Sequence, residues 1–145
     1  MLNTHVTALN HTLTETHEWL EELVQKGSFE VEQQAYSHLR AVLHTLRDRL
    51  TVEEAAHFAS QLPMLVRGFY FEGWRPALAP NDWSTVEEFY GRIRDSLRPA
   101  PGEEVRDLEG ATRAVLALLT EKLTEGQIRH VREQLPKEVQ QLWPA

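Results

Sequence analysis

Arg40-Ala41-Val42-Leu43 recurs 73 positions later as Arg113-Ala114-Val115-Leu116, and this repeat decides the fold. Between residues 40–66 and 113–139, 12 of the 27 residue pairs at that offset are identical. Unrelated segments would share far fewer, so the match indicates an internal duplication. The sequence therefore predicts two tandem units, covering about residues 14–74 and 84–143, joined by a linker at about residues 75–83.

Apolar residues recur at three- and four-residue steps along both units, which is the period of an amphipathic helix. The first such stripe runs from Val6 to Val24 and stops at Gly27, a residue typical of helix C-termini. A second stripe covers about residues 30–49, and similar stripes begin near Ser84 and Asp107. The pattern contains no strand signals, so it predicts helices throughout.

Local start signals repeat in both units. Thr51-Val52-Glu53-Glu54 and Thr124-Glu125-Gly126-Gln127 are capping boxes at the same register. Pro63 and Pro136 follow, each suited to the first turn of a further short helix. We therefore predict an all-α fold, with two tandem pseudo-equivalent units of three to four helices packed into one compact domain of residues 1–145.

Composition limits the functional classes. The chain has 145 residues and no cysteine, which excludes disulfides, thiol catalysis and cysteine-ligated zinc. Its net charge of −7, with arginines interleaved among acids, argues against binding nucleic acid. No apolar run approaches the length of a membrane helix, and the first residues lack the features of a signal peptide. We expect a cytoplasmic protein with no membrane contact.

The two units differ most in the helix that follows each proline. Met64 and Leu65 correspond to Lys137 and Glu138, so the first unit has an apolar helix where the second has an amphipathic one. Two interpretations stay open: the helix at 64–71 is core between the two units, or it forms a surface for another subunit or ligand. The candidate interface or ligand crevice comprises Met64, Leu65, Phe69, Tyr70, Phe71 and Trp74.

A second candidate site consists of polar residues shared by both units: Arg40, His57, Gln61, Arg113, His130 and Gln134. One interpretation is structural, in which arginine and glutamine bind carbonyls left free where a helix breaks at proline. The other is an anion or metal site that is built twice.

Neither catalysis nor a cofactor is predicted. His5, His11 and His17 lie six residues apart, as do His38 and His44, which places their rings on different faces of a helix. No zinc-protease motif, phosphate-binding loop or nucleophile elbow is present. We expect no metal, no cofactor and no enzymatic activity.

Five segments together resemble domain-of-unknown-function family 2267: Thr16-His17-Glu18-Trp19-Leu20, Leu39 to His44, Leu46 to Leu50, Glu54-Ala55-Ala56 with Gln61-Leu62-Pro63, and Phe69 to Trp74. The resemblance covers about residues 14–144. It implies a small, soluble, all-helical bacterial protein, and it implies no activity, cofactor or catalytic residue.

From the sequence we therefore expect a non-enzymatic interaction or regulatory module. Its partner would be an unknown protein or a second copy of the chain. The alternative is a binding protein that holds an apolar or anionic small molecule in the crevice between the two units.

Overall fold

The structure is a computed structural model that describes residues 4–97 and 104–144. The first unit contains α1 (Thr7–Gln25), α2 (Glu32–Arg49), α3 (Val52–Ala59) and α4 (Met64–Phe71), followed by a 3-10 turn at Pro76–Leu78. The second contains α5 (Val86–Leu97), α6 (Leu108–Lys122), α7 (Glu125–Glu133) and α8 (Lys137–Gln140). No strand occurs in these two described ranges, and the prediction of an all-α fold is confirmed.

Helix boundaries in the two units agree with the local signals. Thr51 and Thr124 each accept a hydrogen bond from the backbone N–H three residues on, 3.2 Å away in both cases. Helices α4 and α8 each begin directly after a proline. Asp107 caps α6, and α5 is capped by Thr85 with Glu88, one residue later than the sequence pattern suggested. That the two backbones superpose remains a prediction.

Helix α2 lies at the centre of the molecule. It packs against α1 and α4 of its own unit and against α5 and α6 of the other. Leu39, Val42, Leu43 and Leu46 have no exposed surface. The same helix also buries polar side chains, among them His38 and Arg47. The core is therefore shared between the two units, with α2 as its middle layer.

The pairing of helices between units is reciprocal. By position, α5, α6 and α7 of the second unit correspond to α1, α2 and α3 of the first. α1 packs on α6, and in return α5 packs on α2. The corresponding helices α2 and α6 also pack on each other, as do α3 and α7. This pattern is expected when two similar units meet through the same surface on each.

Of the two interpretations of α4, burial between the two units does not hold for its first turn. Val66, Phe69 and Tyr70 are buried, but Met64 is 52% exposed and Leu65 is 40% exposed. α4 packs on α1, α2 and α3, which together cover only one of its sides. The helix in the middle of the molecule is α2, not α4.

The apolar stripe of α1 packs on the core only in its second half, at Leu20, Leu23 and Val24. The buried residues are Thr12, Thr16, Trp19 and Leu23. Trp19 and Leu23 belong to the hydrophobic core, and they fix the rotation of the helix about its axis. The Thr12 hydroxyl accepts a hydrogen bond of 2.9 Å from the N–H of Leu65, one of the free amides in the first turn of α4. The stripe at Val6, Leu9 and Leu13 is left exposed.

The predicted linker is part of the fold. Trp83 is fully buried, and its ring lies 5.3 Å from that of Phe89 on α5. The N–H of Asn81 donates a 2.6 Å hydrogen bond to the carbonyl of Asp48. The sequence also predicts a loop at Pro99-Ala100-Pro101-Gly102, but these residues lie outside the described ranges.

Candidate binding surfaces

The residues of the predicted interface are divided between surface and core. Met64 and Leu65 are exposed, whereas Phe69 and Tyr70 are buried and the Tyr70 hydroxyl donates to the carbonyl of Ala55 at 2.8 Å. Phe71 and Trp74 are half-buried and their rings lie 5.3 Å apart. The exposed members of the predicted set are therefore Met64 and Leu65.

Leu65 and Phe69 take part in a larger feature, an apolar groove between α1, α2 and α4. The groove has a volume of about 540 Å³ and is lined by Leu13, Thr16, His17, Leu20, Tyr36, Leu65, Gly68, Phe69 and Glu72. Its walls come from the exposed stripe of α1 on one side and from α4 on the other. The residues on α1 and Tyr36 were not predicted as site residues, because an apolar stripe on a helix normally indicates core.

The apolar surface extends beyond the groove along α1. Leu13, which lines the groove, is 38% exposed, and Leu9, one turn before it, is 46% exposed. Val6, directly before the helix, is 52% exposed. Large exposed apolar surfaces of this kind mark sites where proteins bind partners or ligands.

Gly68 lies in the interior of α4 and lines the groove. A Cβ atom placed on it would meet no atom within 4 Å, so packing within the chain does not require glycine here. Glycine inside a helix is destabilising by roughly 0.5–1 kcal/mol relative to alanine. Its presence leaves the α4 wall of the groove open to close approach by another molecule.

Charged residues surround the groove. The imidazole of His17 lies between two carboxylates, with Nε2 3.0 Å from Glu21 and Nδ1 3.4 Å from Glu32. Glu72 lines the groove and pairs with Arg40 at 3.3 Å. Three carboxylates thus stand around the groove beside the guanidinium of Arg40, which makes its rim acidic.

His17, Glu21 and Glu32 are also the residues of the described chain that could hold a metal ion, since their donor atoms lie within 4.8 Å of one another. The two carboxylates, however, approach different nitrogens of the same ring. A histidine held between two carboxylates accounts for this arrangement, and metal binding is not proposed.

The shared polar residues do not form one site. His57 and His130 meet across the α3–α7 contact with ring centroids 5.8 Å apart, and both are exposed. The side-chain nitrogen of Gln61 lies 3.1 Å from Nε2 of His57, four residues before it. Arg40 instead pairs with Glu72, and Arg113 hydrogen-bonds Tyr90. Gln134 is exposed. The arginines and histidines thus have different partners.

The free carbonyls at the proline breaks are bound by residues that we did not predict. Arg67 donates to the carbonyls of Ala59 and Leu62, at 3.0 and 2.9 Å. Gln140 donates to the carbonyl of Leu135 at 2.8 Å. Both the donors and the acceptors Leu62 and Leu135 are 73 positions apart. The signal was therefore present in the aligned repeat, although the two donors are not identical residues.

A second cavity, of about 440 Å³, lies between α2, α5 and the connection between the units. We call it the arginine crevice; it is lined by Arg40, His44, Thr45, Arg47, Asp48, Glu72, Gly73, Asn81, Trp83, Arg92, Asp95 and Ser96. Arg47 is buried and its nitrogens bind Asp48 and the carbonyls of Tyr70 and Glu72. Because Arg47 is occupied by these bonds, Arg40 and Arg92 are the crevice arginines that are better placed to bind an anion.

Three buried groups with shifted pKa values have structural partners. Burial lowers the pKa of His38 to about 4, and Nε2 of this residue lies 2.9 Å from the hydroxyl of Thr112. Burial also lowers the pKa of His44, whose Nε2 lies 2.6 Å from the carbonyl of Phe69. Burial raises the pKa of the Tyr70 hydroxyl, which binds a backbone carbonyl.

These features define a class: an all-helical protein with an apolar groove and a charged crevice. The chain belongs to the family described as "Uncharacterized conserved protein (DUF2267)", whose family model matches residues 16–142. No curated protein matches the chain. Within the described residues, none of the helices combines the length and the apolar character needed to span a membrane. The family description assigns no activity.

Proposed function

We propose that this protein is a non-enzymatic interaction module of the cytoplasm, with a regulatory role, which binds another protein through the apolar groove. The observation that carries the proposal is the rotation of α1. Its apolar stripe, which would normally be core, is exposed at Leu9 and Leu13 and continues into the groove. The histidines with lowered pKa values support a non-enzymatic role, because both are engaged in internal hydrogen bonds.

Filling the groove tests this proposal. Gly68→Gln places a side chain into the open space above Gly68, whereas Gly126→Gln changes a helical glycine outside the groove, where a Cβ atom would also meet nothing within 4 Å. Neither variant is expected to lose thermal stability. We expect affinity capture from the native host to recover the same partner with the wild-type chain and Gly126→Gln, and not with Gly68→Gln. Equal recovery with both variants would contradict binding at the groove.

A second candidate function is binding of an anionic small molecule in the arginine crevice. The observation that favours it is the position of Arg40 and Arg92 around a 440 Å³ cavity between the two units. Native mass spectrometry of protein purified from its own host tests it. A retained small molecule that is lost on Arg92→Gln would support the crevice over the groove.

A further inference from the structure

We infer that the occupant of the apolar groove is an amphipathic α-helix of a partner protein that carries Lys or Arg beside its apolar face. The inference rests on the proposed function, because it names the kind of partner that the groove accepts. Three properties of the groove lead to it: its backbone chemistry, its length and the charge of its rim.

The backbone chemistry favours a helix over an extended peptide. The groove is formed by three helices, whose interior N–H and C=O groups are already paired along each helix. An extended segment laid in an apolar groove would leave its own N–H and C=O groups without partners. A helix satisfies these groups internally and needs from the groove only apolar contact.

The dimensions suit a helix of about three turns. The stripe on α1 from Leu9 to Leu20 spans 12 residues, which is about 17 Å at 1.5 Å per residue. Apolar anchors at positions i, i+4 and i+7 of a partner helix extend over about 10 Å, so they fit within this length. Gly68, in the opposite wall, allows the backbone of such a helix to approach α4 closely.

The charge of the rim indicates which residues the partner helix carries beside its apolar face. Glu21 and Glu32 stand beside His17 on one side, and Glu72 lines the groove near Arg40. The side chains of Glu21 and Glu32 are 51% and 42% exposed, so both can meet a cation. A partner with Lys or Arg next to its anchors would complement these carboxylates, whereas an acidic partner would be repelled. The net charge of −7 acts in the same direction at longer range.

The test uses a display library of random 16-residue helical peptides. Peptides are selected on the wild-type chain, and those that also bind Gly68→Gln are removed. We expect the remaining peptides to have apolar residues at i, i+3 or i+4, and i+7, with an excess of Lys and Arg on the flanks. By fluorescence anisotropy, Gly68→Gln should weaken their binding at least tenfold, and Gly126→Gln should leave it unchanged.

The charge of the rim is tested with the same peptides. Glu21→Gln combined with Glu32→Gln should weaken binding several-fold and reduce its dependence on salt, because two acceptor carboxylates are lost. The inference would be overturned if the selected peptides were rich in Asp and Glu. It would also be overturned if the selection yielded no peptide whose binding depends on Gly68. A chain dimer in sedimentation that is lost on Gly68→Gln would also overturn it, since the occupant would then be a second copy.

Failure of this inference is distinguishable from failure of the proposed function. A host protein that is captured only through the groove, but binds it with an acidic or non-helical segment, would overturn the inference alone. Groove-independent capture would overturn the proposed function as well.

Discussion

At the scale of single residues, His38 shows how the core controls a titratable group. Its Nε2 lies 2.9 Å from the Thr112 hydroxyl, which itself donates to the carbonyl of Leu108 at 2.8 Å. The Thr112 oxygen therefore accepts the proton on Nε2. The other ring nitrogen, Nδ1, is buried and has no hydrogen-bond partner among the described residues, and the ring of Phe29 lies 5.5 Å away. A second proton would place a charge in the core.

His38 consequently links stability to pH. Its pKa falls from 6.5 in the unfolded chain to about 4 in the folded protein, because burial disfavours the charged form. The stabilisation is complete above pH 6.5 and is lost as the pH falls towards 4, since only the unfolded chain takes up the proton in that window. The difference in pKa corresponds to about 3 kcal/mol in the free energy of unfolding.

We expect His38→Gln, which keeps a donor for Thr112, to reduce the number of protons taken up on unfolding by about one. The free energy of unfolding should therefore change less steeply with pH in the variant than in the wild-type chain. Urea unfolding at several pH values between 6.5 and 5 measures this slope, above the range in which most carboxylates titrate. His44 titrates in the same direction in both proteins, so it cancels in the comparison. Identical slopes for the variant and the wild-type chain would show that His38 is not the linked group.

At the scale of elements, one side chain stabilises each break between helices. Arg67 stabilises the break between α3 and α4, and Gln140 stabilises the corresponding break between α7 and α8. Each side chain satisfies a carbonyl that the end of a helix leaves free. Arg67 also donates to the carbonyl of Ala59, which accepts from the N–H of Leu62 as well, and it carries a charge, whereas Gln140 makes one neutral bond. Hydrogen bonds from charged groups contribute about 1.5–3 kcal/mol, and neutral ones about 1 kcal/mol.

Arg67→Ala should therefore destabilise the protein by about 2 kcal/mol and Gln140→Ala by about 1 kcal/mol. Arg67→Gln should recover part of the loss, because glutamine makes the equivalent bond at position 140. Chemical denaturation of the three variants measures these differences. If Arg67→Ala costs no more than a surface substitution such as Arg75→Ala, water satisfies these carbonyls and the side chain is not needed.

Helix boundaries could be predicted from the sequence because they depend on local signals. Thr51, Thr124, Pro63 and Pro136 each act within one turn, and the structure places helix starts at or next to all of them. The rotation of α1 could not be predicted, because it depends on how Trp19 and Leu23 fit the core and on the bond from Thr12 to α4. Both are contacts with distant segments.

The candidate site was predictable only in part for the same reason. Leu65 and Phe69 were identified from the difference between the two units, and both line the groove. Leu13 and Leu20 were assigned to an apolar stripe, but a stripe alone does not tell whether it faces the core or the solvent. The matching positions of Arg67 and Gln140, by contrast, could have been found by aligning the repeat for donors rather than for identical residues.

At the scale of the whole molecule, the two units share one core and should not fold separately. α2 packs on α5 and α6 of the second unit, and the ring of Trp83 lies against that of Phe89. A fragment of residues 1–83 would expose the side of α2 that those helices cover. Re-exposing a buried leucine costs about 1.5–3 kcal/mol, and a domain has only about 5–15 kcal/mol of stability.

We therefore expect residues 1–83 alone to lack a cooperative thermal transition in circular dichroism. Mixing this fragment with residues 84–145 should restore helicity and cooperative unfolding, because the reciprocal contacts between the units re-form. The full chain should unfold in a single transition. A fragment of residues 1–83 that melts cooperatively near the temperature of the full chain would show instead that each unit has its own core, and that the contacts of α2 with α5 and α6 join two independent domains.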